Sequence, residues 1–258
     1  MPGSHEKRKV AIVTGAGRGI GQGIAVQLSK NGYDIGIHYN TSAEGANETA
    51  ALCRENGARV ELLPADIRNT DEIDRLFEEV EARFGAIDLM VCNAGITRFQ
   101  PFLEATPDQF DTVISTDLRG SYFCAQGGAR NMVRHGQRGC IILISSNHMN
   151  GCWPTASFYA AAKAGLAKAG ENMALELAPH GIRVVTIAPG YTRLPSWNAS
   201  EGLKRIESRI PAGRCATPQE IGDAVVFLAS EQAGYITGTT LFIDGGALLP
   251  VITENHYT

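Results

Sequence analysis

Val10-Ala11-Ile12-Val13-Thr14-Gly15-Ala16-Gly17-Arg18-Gly19-Ile20-Gly21 runs from a short β-branched apolar segment straight into a glycine-rich loop, and Ile24 and Leu28 then follow at helical spacing. Glycines permit a tight turn and let backbone N–H groups approach a phosphate, which the N-terminus of the following helix stabilises. The GxGxxG spacing is not met, because Ile20 takes the third glycine's place when counted from Gly15. The loop reads GxxxGxG through Gly15, Gly19 and Gly21. A strand, a phosphate-sized loop and a helix in that order predict the first unit of a doubly wound α/β sheet.

Working outward, short apolar runs alternate with longer helical patterns to the end of the chain. Val10 to Val13, Ile35 to Tyr39, Val60 to Leu63, Leu89 to Cys92, Ile141 to Ile144, Val184 to Ile187 and Leu241 to Ile243 read as buried strands. Between them, Ile73, Leu76, Phe77, Val80 and Phe84 form one helical stripe, with Thr70 expected to cap it, and Thr106-Pro107 marks another helix start. Seven strands joined by helices predict a mostly parallel sheet covered on both faces. No linker or repeat interrupts the pattern. The expectation is therefore one Rossmann-like domain over residues 1–258, with 1–8 a flexible, solvated lead-in and 247–258 a C-terminal tail.

Composition narrows the classes. The 258 residues are 44% hydrophobic with a net charge of −4, which suits a globular core and gives no broad basic surface for nucleic acid. No apolar run approaches the roughly 18 residues of a membrane span, and the polar start lacks a secretion signal's apolar core, so a cytoplasmic protein is expected. Cys53, Cys92, Cys124, Cys140, Cys152 and Cys215 are widely spaced and read as reduced packing residues, without a metal-binding pattern.

Ligands in such sheets bind beyond the carboxyl ends of the strands. The second strand ends in Tyr39-Asn40-Thr41-Ser42, without the carboxylate that would accept from a ribose 2′-hydroxyl. Arg18 could meet a 2′-phosphate and Asn40, Thr41 and Ser42 offer neutral donors, so the loop favours NADP, with NAD the alternative. Further on, Tyr159 and Lys163 stand four apart at the start of a predicted helix, on one face, with Ser146 thirteen positions before Tyr159. A cation beside a phenol favours the phenolate, so three groups able to handle a proton at a carbonyl oxygen gather after one strand.

Together these motifs resemble the short-chain dehydrogenase/reductase family over nearly the full length. Thr14 to Gly21 is similar to its glycine loop, Asp66-Ile67 to its adenine-contacting pair, and Asn93-Ala94-Gly95 to its N-A-G segment. Ser146, Tyr159 and Lys163 match its catalytic serine, tyrosine and lysine, Pro189-Gly190 its turn beside the nicotinamide, and Asp244-Gly245-Gly246 its C-terminal D-G-G. The resemblance implies hydride transfer between nicotinamide and substrate carbon, a proton exchanged by Tyr159, a Lys163 that tunes the tyrosine and holds the nicotinamide ribose, and a Ser146 that orients the carbonyl. Ser145 is expected to close the strand. Two positions depart from the family pattern. Asp117 stands where the family usually has the asparagine that completes its catalytic tetrad by holding a water through its backbone carbonyl, and adds a charge near Lys163; Leu194 replaces a threonine, leaving Thr192 as the neighbouring candidate for the nicotinamide amide.

Asn147, His148, Asn150, Trp153, Arg193 and Trp197 mix hydrogen-bonding and aromatic groups around the expected pocket, which points to a carbonyl or secondary alcohol of sugar or polyol type. A 3-oxoacyl thioester reductase is the alternative, and a dinucleotide-binding sensor or scaffold is the non-enzyme reading. The family implies a homo-oligomer, tetramer or dimer, for which the small residues from Ala160 to Ala167 would allow close helix approach. The tail could cover a neighbour's site.

Overall fold

The computed structural model describes residues 8–194 and 200–249. Trp197 and most of the C-terminal tail lie outside them. Seven strands are present: β1 Lys9–Val13, β2 Tyr33–Tyr39, β3 Val60–Pro64, β4 Leu89–Cys92, β5 Cys140–Ile144, β6 Arg183–Pro189 and β7 Thr239–Ile243. They form one sheet in the order β3-β2-β1-β4-β5-β6-β7, and every pairing is parallel rather than mostly so.

Parallel neighbours need crossovers, and helices supply them on both faces. The principal ones are α1 Gly19–Lys30, α2 Ala43–Glu55, α3 Thr70–Phe84, α4 Pro107–Val113, α5 Ser121–Arg134, α6 Ser157–Leu177, α7 Glu201–Glu207 and α8 Pro218–Ala229. Strand side chains alternate between faces. Ala11 and Val13 of β1 therefore pack with Ile24 and Leu28 of α1 and Ile221 and Val225 of α8, whereas Val10 and Ile12 pack with Leu76 and Val80 of α3 and Met132 of α5. The two cores sandwich the sheet, and fully burying each Ile or Leu contributes about 1.5–3 kcal/mol.

Local details correct two expectations. The cap of α3 is Asn69, whose side chain accepts from the Asp71 N–H, and Thr70 is the first helical residue. Arg8 is not a solvated lead-in, since its guanidinium donates to the carbonyls of Ser29 and Tyr33 and pairs with Asp34 at 3.2 Å. Thr106 does cap α4, in a reciprocal box with Gln109 beside Pro107. The chain leaves α4 through a π-helical turn, Ile114–Gly120, before α5. Among the described residues no helix is long and apolar enough to cross a membrane.

Candidate active site

From β1 the sheet grows outward to β2 and β3, then resumes on the other side with β4, so the carboxyl ends of β1 and β4 flank the switch point. The glycine loop follows β1 there, and Asn93 follows β4. Asn93 donates its side-chain amide to the carbonyls of Thr14 and Gly15 at 2.9 and 3.2 Å, while the Asn93 and Ala94 N–H groups donate to the Thr14 hydroxyl. The N-A-G segment thus holds the loop through its own hydrogen bonds.

The loop fits a pyrophosphate. Gly15 and Gly19 take left-handed backbone, with φ of 65° and 58°, and a Cβ on Gly21 would lie 2.3 Å from the Gly15 carbonyl oxygen. Arg18, the N-cap residue of α1, makes no side-chain cap, and the first turn holds no acid, so the first-turn N–H groups of Gly19, Ile20 and Gly21 face no competing carboxylate of their own helix. Leu194 lies against Gly19, so that residue lines the cradle, and Thr192 turns its hydroxyl back to the Gly190 carbonyl at 3.2 Å.

Around the end of β2, Arg18, Asn40 and Thr41 are exposed and Tyr39 is half-buried. Asp66 points at Arg68, 2.5 Å away, and that guanidinium lowers the carboxyl pKa, with Asn40 donating as a lesser cause. The Ile67 side chain is buried in the core beneath Gly120. Across the sheet, Gly190 follows Pro189 and donates to the Ile243 carbonyl, and Asp244 accepts from the Gly246 and Leu248 N–H groups. That bonding makes D-G-G a turn which packs against Gly190. Leu248 contacts the position of Gly151, so the described start of the tail lies on this chain's own loop between β5 and α6.

Ser146, Tyr159 and Lys163 all lie beyond β5. Ser145 ties the strand end to α6 by donating to the Lys163 carbonyl at 2.8 Å, as expected of the residue that closes the strand. Ser146 is 7% exposed and accepts from the His148 N–H. Tyr159 and Lys163 lie on one face of α6, with the ammonium 5.7 Å from the phenol ring centroid. The ammonium also donates to the Ile144 carbonyl at 3.2 Å and faces Asp117 Oδ2 at 3.2 Å, at an angle that makes the carboxylate contact an ion pair more than a hydrogen bond.

Asp117 comes from the π-helical turn and is wholly buried, with its other oxygen accepting from the Ile96 N–H at 2.8 Å. Burial acts to lower the Lys163 pKa, but the Asp117 carboxylate, helped by Tyr159, outweighs it and holds the lysine above its ordinary value. Gly95 makes room for this pair, since a Cβ there would meet Asp117 Oδ2 at 2.9 Å and Lys163 Nζ at 3.2 Å.

Two histidines do more than the sequence specified. His148, expected among the groups around the pocket, has its Nδ1 3.1 Å from the Ser146 hydroxyl. Its ring stacks on Trp153 at 3.9 Å and on Phe99 at 5.7 Å, and stands edge-on to Tyr159 at 5.3 Å. Trp153 is itself fixed by donating to the Tyr191 hydroxyl at 3.2 Å. Burial lowers the His148 pKa, which favours the neutral ring beside Ser146. The second, His38, is buried on β2 beneath the glycine loop.

Of the other expected substrate contacts, Asn147 is buried while Asn150 and Arg193 are exposed. Thr155, four residues before Tyr159, takes φ of 67°, unusual for a β-branched side chain, and its carbonyl accepts from the Gln100 N–H at 2.7 Å. A groove of about 740 Å³ between α3 and α5 is lined by none of the predicted site residues. Five cysteines are buried and Cys152 is exposed; all six are free thiols.

The profile of a family described as enoyl-(acyl carrier protein) reductase matches residues 15–247. The chain is 39% identical to the uncharacterized oxidoreductase YohF of Escherichia coli, over 93% of this chain and 96% of that one. It is 37% identical to the 3-oxoacyl-(acyl-carrier-protein) reductase FabG of Staphylococcus aureus, over 92% and 97% respectively. Its backbone superposes on the crystal structure of acetoin dehydrogenase YohF from Salmonella typhimurium with a TM-score of 0.89 at 36% identity, covering 96% of this chain and 99% of that one. Strand order, glycine loop and full-length likeness agree, and the chain belongs to the short-chain dehydrogenase/reductase family of NAD(P)-dependent oxidoreductases.

Proposed function

We propose that this protein interconverts a small, oxygen-rich ketone and its secondary alcohol, with NADP preferred over NAD. The observation that carries the reading is the joint placement of Ser146, Tyr159 and Lys163 beyond β5, with the buried Lys163–Asp117 pair at 3.2 Å beneath them. When bound, the nicotinamide supplies or accepts the hydride. Tyr159 exchanges the proton with the substrate oxygen, which Ser146 orients, and holding both groups fixed removes most of the entropic part of the barrier. Lys163, kept charged by Asp117, fixes the tyrosine's surroundings and reaches toward the nicotinamide ribose. Gly15, Gly19, Ile20 and Gly21 line the pyrophosphate, Asp66 and Ile67 the adenine, and Asn93, Ala94, Gly95, Pro189, Gly190 and Thr192 the rest of the dinucleotide.

The NADP preference rests on Arg18, exposed at the lip of the loop, and on Asn40 and Thr41, exposed where β2 ends without a carboxylate of its own. Asp66, which meets Asn40, is paired with Arg68. For the substrate, the stacked rings of Phe99, His148 and Trp153 occupy the space beside Tyr159, which suits a compact polar molecule such as a hydroxyketone, diketone or sugar alcohol. Likeness to a protein named acetoin dehydrogenase supports the same class. A 3-oxoacyl thioester is the second reading, favoured by the likeness to FabG. Exposed Leu175, Phe227 and Tyr235 support self-association, which light scattering would measure.

The deciding experiment is a screen of diketones, hydroxyketones, sugar alcohols and 3-oxoacyl thioesters with NADPH and NADH and their oxidised forms. Turnover confined to thioesters would transfer the reading to the second class. Tight dinucleotide binding without turnover of any compound would make the protein a sensor.

A further inference from the structure

We infer that His38 is a positioning residue for the dinucleotide, a clasp that holds the glycine loop and the segment after β3 at a fixed spacing; this rests on the cofactor reading above. His38 lies near the end of β2, 2% exposed. Its Nδ1 faces the Gly15 N–H at 3.2 Å and its Nε2 faces the Ala65 carbonyl at 3.0 Å. An N–H can only donate and a carbonyl only accept, so both contacts call for one form of the ring, neutral with its proton on Nε2.

The ring adds side-chain bonds to a backbone ladder in which the His38 and Tyr39 carbonyls accept from the Ala16 and Ala65 N–H groups. β2 lies between β1 and β3, and the loops leaving those two strands form the pyrophosphate and adenine ends of the cradle. Gly15 opens the first loop, and Ala65 directly precedes Asp66 in the second. One imidazole therefore bonds to both.

His38 also occupies donors. Its ring takes the Gly15 N–H, and its own carbonyl accepts from the Ala16 N–H at 2.9 Å. The phosphate is left with the N–H groups from Gly17 onward, which lead into α1 at Gly19. Burial pushes the ring's pKa down to about 4, in keeping with a neutral ring at working pH.

The test compares His38→Leu, which fills space without hydrogen bonds, with His38→Gln, whose amide can accept at one end and donate at the other. Dissociation constants for NADPH and NADH are measured by fluorescence on the intact protein without substrate. His38→Leu is expected to weaken both dinucleotides by about the same tenfold factor, with kcat at saturating cofactor near that of the parent, and His38→Gln to recover most of the affinity. Unchanged binding in the leucine variant, or a loss confined to one dinucleotide, would overturn the inference. Should that variant not fold, the ¹⁵N shifts of the parent's His38 decide. A proton on Nε2 at pH 7 supports the clasp, and one on Nδ1 refutes it. A parent that binds neither dinucleotide would refute the cofactor reading itself, a result distinct from either of these.

Discussion

The glycine loop after β1 and the loop after β5 both cap central strands of the same sheet, but different forces hold them. The first is a backbone construction in which Asn93, Thr14 and His38 hydrogen-bond to main-chain groups, and the turn closes so tightly that Gly21 has no room for a Cβ. The second adds to its main-chain bonds a set of side-chain contacts that the first lacks: His148 on Ser146, Trp153 on Tyr191, and rings stacked from Phe99 to Trp153. A backbone cradle suits a ligand common to many reactions, while a lining of side chains can be exchanged without disturbing the fold. Under the proposed function, changes on one side should alter dinucleotide binding and changes on the other should alter turnover.

Tyr159→Phe gives the sharpest test of that separation. Loss of the proton donor should lower kcat by about 10²–10⁴-fold, with dinucleotide affinity within about twofold of the parent. A comparable loss of cofactor binding would show that the two sides are not separable at α6.

Asp117→Asn addresses the group shared by both sides. Removing one partner of a buried pair costs about 3–5 kcal/mol, so denaturant unfolding should show a large loss of stability. The carboxylate is what raises the Lys163 pKa against burial, so without it that pKa falls. The alkaline limb of the pH–activity profile should then move to lower pH. An unmoved limb would mean that Lys163 does not set it. In the parent, the raised lysine contributes stability that is present below the ordinary lysine pKa of about 10.4 and is lost as pH rises through the folded value.

Gly21→Ala tests the backbone cradle. The added methyl meets the Gly15 carbonyl, and overpacking of this kind costs about 1–3 kcal/mol, with weaker binding of NADPH and NADH alike, read by calorimetry. Arg18→Ala should have the smallest effect, weakening NADPH by roughly tenfold and NADH hardly at all, in keeping with one lost charge-assisted contact at an exposed site. An equal effect on both cofactors would remove the case for 2′-phosphate recognition.

The same contrast explains what the sequence revealed. Strands and the glycine loop were legible because β-branched apolar runs and steric closure leave local marks; the seven strands lie where the apolar runs predicted, although β7, at the sheet edge, was expected buried and has no buried residue. Tyr159 and Lys163 were legible because helical spacing puts positions four apart on one face. Asn69 was missed in favour of Thr70 because two adjacent polar residues can each cap, and only backbone angles choose between them. Arg8 was misjudged because its partner Asp34 lies on the next strand. His38, and the particular contacts of His148, were opaque for a related reason. One answers to partners on two flanking loops, and the other takes its role from a short 3-10 turn, Asn147–Met149, that carries no periodic pattern. Asp117 was visible as a departure from the family pattern, but its burial against Lys163 depends on the π-helical turn that delivers it.

Thr155 gives the substrate loop a further property. A β-branched residue at φ of 67° holds a strained backbone, worth about 1–3 kcal/mol, and it does so where the loop fastens Gln100 ahead of α6. Asparagine or glycine accepts that conformation at lower cost, so this one position is where a protein engineer seeking heat tolerance would begin. The gain in melting temperature there, set against any change in turnover, would report how much ruggedness the native chain gives up to keep its substrate loop in shape.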